Sequence, residues 1–146
     1  MEHIAIMKKS WGLTQKILSG EKKVESRWYH SRHAPWDRIK AGETIYFKDS
    51  GEPVTVKAQV EKVLQFEDLS HETVSQILKR YGGSGGIGLA DIPKSFELFK
   101  HKRFCILVFL KDPQKIKPFA IDKKGFGNMA AWICVKDVKS IISESL

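Results

Sequence analysis

Residues 54–61 alternate without a break. Val54, Val56, Ala58 and Val60 fall on one side of an extended chain, and Thr55, Lys57, Gln59 and Glu61 fall on the other. Successive side chains of a strand point to opposite faces, so this segment is a strand with one wet side. Any fold for the chain has to supply a sheet that buries the valine face and leaves the lysine face in water.

The flanking sequence supplies partners for that strand. Asp49-Ser50-Gly51-Glu52-Pro53 is a turn into it, and Thr44 to Phe47 reads as the strand before the turn. Val24 to Trp28 alternates as well, with Val24, Ser26 and Trp28 on one side and Glu25 and Arg27 on the other. Phe104 to Leu110 is a continuous apolar run, as in a strand buried on both faces. Pro113 and Pro118 bracket a loop before Phe119-Ala120-Ile121, and a last strand spans Ala131 to Val135. Helices are expected in four places. Leu13, Ile17 and Leu18 precede Gly20, a natural left-handed stop. Val74, Ile77, Leu78 and Tyr81 follow Ser70, a capping residue, and end at Gly82. Val138, Ile141 and Ile142 suggest a short C-terminal helix, and Pro93 to Phe99 suggests another. Gly82 to Gly88 reads as a flexible loop. Helices that do not alternate regularly with strands argue for an α+β architecture. A small barrel with flanking helices would remove exposed strand edges and suits 146 residues as a single domain, 1–146.

The net charge of +8 is unevenly placed. Residues 22–40 carry +4 and residues 100–124 carry +6, which leaves the remainder slightly acidic. Clustered positive charge attracts polyanions, although a basic surface is also simply a solvated one. Cys105 and Cys134 lie inside apolar runs and read as reduced, buried thiols. The N-terminal residues lack the apolar stretch of a signal peptide, and no apolar run approaches the roughly 20 residues of a membrane span. The expected setting is the cytoplasm, with no membrane partner and a monomeric chain.

The densest chemistry lies in Gly20-Glu21-Lys22-Lys23-Val24-Glu25-Ser26-Arg27, followed by Trp36 and the turn Gly42-Glu43-Thr44-Ile45. This resembles the ASCH family of the PUA-like superfamily. That family carries G-x-K-x-x-E-x-R between a first helix and a strand, then an aromatic and a "GD-x-I" turn. Gly20, Lys22, Glu25 and Arg27 occupy all four fixed positions, and Glu43 stands where the family usually has Asp. The stretch Gly125 to Trp132 also looks like longer members. The resemblance implies a PUA-like small β-barrel with flanking helices. It further implies a cleft between the first helix and the barrel that takes single-stranded or modified RNA, with DNA possible too.

The residues agree with such a cleft. Glu25 and Arg27, two apart on one strand face, are placed for the carboxylate to orient the guanidinium, while Lys22 adds a point charge. A salt bridge that merely closes the barrel uses the same pair. Tyr29 and Trp36 interleave with Arg27, His30, Arg32 and His33, as stacking and cationic groups do in single-strand binders. Tyr29 and Trp36 serve equally well as core, and Trp28 fits the core better than a cleft. Lys123, Lys124 and Asn128 from the late turn are further candidates, with Trp11 and Phe126 as rim residues.

The resemblance also leaves an enzymatic alternative, an RNA- or nucleoside-processing hydrolase. Some ASCH-like proteins are ribonucleases, and one branch hydrolyses an acyl amide on modified cytidine with a Lys, a Thr and a distant Glu. By position the Lys falls on Lys22 and the Thr on Glu25, with Glu67 or Glu72 as the distant carboxylate. A carboxylate cannot replace the hydroxyl as nucleophile, though Lys22 and Glu25 could still form an acid/base pair. His30 and His33 lack companions at metal-ligand spacing, and the glycine loop lacks the Lys-Ser/Thr of a phosphate cradle. No metal or cofactor is expected.

Overall fold

The structure is a computed structural model that describes residues 1–127 and 129–143. Seven strands form one mixed, curled sheet: β1 (Glu2–Met7), β2 (Val24–Tyr29), β3 (Thr44–Asp49), β4 (Val54–Phe66), β5 (Phe104–Ile121), β6 (Trp132–Val135) and β7 (Ile142–Ser143). The spatial order is β2-β5-β4-β3-β1-β6, with β7 paired to the end of β5. All neighbours are antiparallel except β1 and β3, which run parallel with Glu2 opposite Thr44 and Met7 opposite Asp49. The helices are α1 (Leu13–Ser19), α2 (His71–Tyr81) and α3 (Ile92–Phe99), and short 3-10 turns cover Lys9–Trp11 and Val138–Ile141.

The alternation of β4 places Val56, Ala58 and Val60 in the barrel interior with Ala5, Phe47, Ile106 and Val108. β5 is dry on both sides over its first half. Ile106 and Val108 face that interior, whereas Cys105 and Leu107 face a second core made by Val74, Ile77 and Leu78 of α2. Gly20 ends α1 at φ 83°, and the Ser70 hydroxyl caps α2 by accepting from the Thr73 N–H.

Four elements depart from expectation. Glu2–Met7 is a strand; its run of buried His3, Ile4 and Ala5 gives no period-two signal, because both faces are covered. β5 continues through Pro113 and Pro118, which fall in stretches where the pairing with β4 shifts register, so no ladder N–H is required of them. The C-terminal helix is only a 3-10 turn, and Ile142 leaves it to pair with Ile121. The 82–88 loop is pinned rather than free. Gly86 accepts from the N–H groups of Lys23 and Val24 at 2.8 and 2.9 Å, and Gly85 donates to Glu21 O at 2.7 Å.

Candidate functional site

β2 lies at one end of the sheet order and β6, with β1 beside it, at the other, so the barrel has a seam between them. Arg27 of β2 bridges that seam. Its guanidinium donates to Ala131 O at 3.1 Å and Ile6 O at 3.3 Å, and it lies over the Trp132 ring at 5.1 Å. Beside the bridge is a cavity of about 340 Å³, at the small end of the range for ligand sites. β2 supplies its floor through Glu25, Ser26, Arg27, Trp28 and Tyr29, with Lys22 just before the strand. The end of β1, the turn bearing Trp11, Leu89 just after the glycine loop and Phe99 of α3 form the walls. Lys8 and Lys102 also line it.

The four fixed positions of the motif divide the work. Gly20 turns the chain out of α1. Lys22 is 2% exposed, and its ammonium donates to Val24 O at 2.8 Å and Ile87 O at 3.0 Å, with Glu25 Oε1 at 3.4 Å. An amine with three acceptors around it is a strut between β2 and the glycine loop. Burial pulls its pKa below the ordinary lysine value, and the Glu25 carboxylate opposes that pull. Gly88 allows the close approach, since at φ 78° a Cβ there would stand 3.2 Å from Lys22 Cβ. Glu25, 3% exposed, accepts from the Ser26 N–H at 2.9 Å through Oε1. Its Oε2 lies 3.5 Å from Arg27 Nη2 and has no hydrogen bond among the described residues.

The aromatic walls are of two kinds. Trp28 is a core residue, stacked on Phe99 at 4.6 Å with planes 3° apart, and it also lines the cavity. Trp11 is 49% exposed and stands at the rim under the Lys8 ammonium, 5.0 Å from its ring centre. Tyr29 lines the cavity with its hydroxyl donating to Ala34 O at 2.8 Å, and burial raises its pKa.

Lys22, Glu25, Arg27 and Tyr29 are thus brought together at one cavity. Trp11 joins them at the rim, and the remaining sequence candidates lie elsewhere. Arg32 pairs with Glu67 at 2.8 Å and covers Trp36 and Phe104. Trp36 packs edge-on against Phe104 and onto the barrel core. His33 bonds Ser31 at 3.0 Å, and His30 is exposed beyond the end of β2. Lys123 donates to Ala130 O at 3.0 Å and lines a separate depression that shares Ile6, Met7 and Lys8 with the cavity. Lys124 is exposed, and Asn128 lies outside the described residues. Lys8, Leu89, Phe99 and Lys102 were not among the sequence candidates. Phe99, at the end of a short helix 71 residues beyond Trp28, carries no local mark of its stack.

No family model matches the sequence, and no curated protein matches it. Solved structures do. ASCH from Zymomonas mobilis superposes with a TM-score of 0.68 at 19% identity, covering 97% of this chain and 96% of that one. This chain has the ASCH fold. A mutant form of the same Zymomonas mobilis protein gives a TM-score of 0.69 at 19% identity, with 95% and 93% of the two chains covered. A structure described only as a hypothetical protein gives 0.54 at 16% identity over 80% of this chain and all of that one. The fold is an α+β small barrel, and in this chain Arg27 and the cavity lie at its seam.

Proposed function

We propose that this ASCH-fold domain binds single-stranded or modified RNA by receiving one unstacked nucleotide in the seam cavity. One observation carries the reading: a concave site lined by the aromatic rings of Trp11, Trp28, Tyr29 and Phe99 and by the cations Lys8, Arg27 and Lys102. Unpaired bases are held by stacking and their phosphates by cations, and neither requires a duplex groove. The cavity's apolar walls suit the ring, and Lys8, exposed at the rim, suits the backbone.

The test is fluorescence anisotropy of a labelled single-stranded RNA titrated with the full chain at low and rising salt, alongside Trp11→Ala. Trp11 is half exposed, so its loss should leave the fold intact. Affinity is expected to fall steeply with salt and to drop by about 5- to 100-fold in the variant, as loss of one base stack implies. Wild type and Trp11→Ala binding equally poorly at low salt would remove the proposal's support. Single-stranded DNA of the same sequence, run in parallel, separates RNA from DNA preference.

A further inference from the structure

We propose that Glu25 makes this cavity selective for a base bearing an exocyclic amine, so that cytosine is preferred over uracil. The inference rests on the nucleotide-binding reading above and adds which edge of the base meets the floor.

Glu25 is a buried carboxylate with one oxygen engaged and one idle. Oε1 takes the Ser26 N–H, while Oε2 has no hydrogen bond among the described residues and stands 3.5 Å from the Arg27 guanidinium. A buried acceptor without a donor is costly, so a ligand that brings a donor there gains more than an ordinary contact. The neighbouring ammonium does not change the sign of the floor. Lys22 already has Val24 O, Ile87 O and Glu25 Oε1 around its three N–H directions, which leaves none for a ligand anion. A phosphate inserted to this depth would therefore meet a carboxylate flanked by two cations already engaged, Lys22 by its three acceptors and Arg27 by Ile6 O and Ala131 O. The group that fits inward is an N–H donor, with the phosphates left at Lys8 and Lys102.

Oε2 is fully covered, but the terminal torsion of a glutamate is broad and soft. A small rotation turns a carboxylate oxygen toward a base lying between the aromatic walls. The amine of cytosine then donates to it. Uracil places its O4 carbonyl at the same point, acceptor against acceptor.

The experiment uses the full chain and three labelled single-stranded RNAs, uridine tracts whose central residue is cytidine, uridine or 2-pyrimidinone ribonucleoside, which lacks only the amine. The cytidine strand is expected to bind on the order of 10- to 100-fold more tightly than the other two, the loss typical of a hydrogen bond to a charged group. Glu25→Gln offers an amide N–H to O4, so the preference should shrink or reverse toward the uridine strand. Equal wild-type affinity for all three strands overturns the selectivity while leaving RNA binding in place. A Glu25→Gln chain that weakens all three equally and keeps the cytidine preference overturns it too. No binding of any strand overturns both readings.

Discussion

Replacing Lys22 by Met tests whether this lysine is a strut or a ligand group. The substitution keeps the length of an apolar stem and removes the ammonium that joins Val24 O, Ile87 O and Glu25. Two carbonyls lose a donor, and Glu25, 3% exposed, keeps a charge balanced only by Arg27 at 3.5 Å. Removing one partner of a buried ion pair costs about 3–5 kcal/mol, a large part of the 5–15 kcal/mol that typically holds a domain. With a urea m-value of about 2 kcal/mol per molar for a chain this size, the unfolding midpoint should fall by about 2 M. The assay is equilibrium urea unfolding followed by tryptophan fluorescence. Adding Glu25→Gln to Lys22→Met should recover part of the loss, since the orphaned charge is gone, whereas the carbonyls stay unsatisfied. A Lys22→Met chain within about 1 kcal/mol of wild type, yet defective in RNA binding, would refute the strut and return Lys22 to the ligand.

Acid should loosen the fold through His3, which is fully buried. The Trp132 indole donates to its Nδ1 at 3.1 Å, so Nε2 carries the proton and donates to Glu43 at 2.9 Å. Burial holds its pKa below the ordinary 6.5, against the pull of Glu43 and with the N-terminus and Arg38 also lowering it. The unfolded chain therefore takes up the proton first, and stability present above pH 6.5 is lost below it, at up to about 1.4 kcal/mol per pH unit; urea midpoints for His3→Gln should change less between about pH 7 and 5. Arg27→Lys should cost about 1–3 kcal/mol, because a single ammonium cannot reach Ile6 O and Ala131 O while covering Trp132. Hydrogen exchange of the Ile6 amide, bonded to Ala131 O, should quicken in that variant. Lys8→Gln with Lys102→Gln should flatten the salt dependence of RNA binding by about 0.7 in log–log slope for each phosphate left without its cation, with little effect on the urea midpoint.

The elements whose packing is local were legible. The valine face of β4, the two dry faces of β5, the glycine stop of α1 and the serine cap of α2 each follow from a few adjacent residues. Elements made by distant partners were not. β1 carries no period because it is covered on both faces, and the pinning of the glycine loop is written in backbone groups that every residue shares. The same division runs through the site. The i, i+2 relation of Glu25 and Arg27 on β2 placed their charges together, at 3.5 Å. That Lys22 is engaged by Ile87, 65 residues away, and Trp28 by Phe99 is a property of the fold, which no local pattern announces. Arg32 and Trp36 instead form a cluster of their own with Glu67 and Phe104, because the loop after β2 carries them off the cavity.

The guanidinium of Arg27 is at once part of the cavity lining and the clasp on the open side of the barrel. Occupancy and closure are then two readings of a single equilibrium, for whatever steadies that side chain from within also draws the first and last edges of the sheet together. A tight ligand should raise the melting temperature in step with its concentration above Kd, and loosening the clasp should weaken binding even where no group that meets the ligand has been altered.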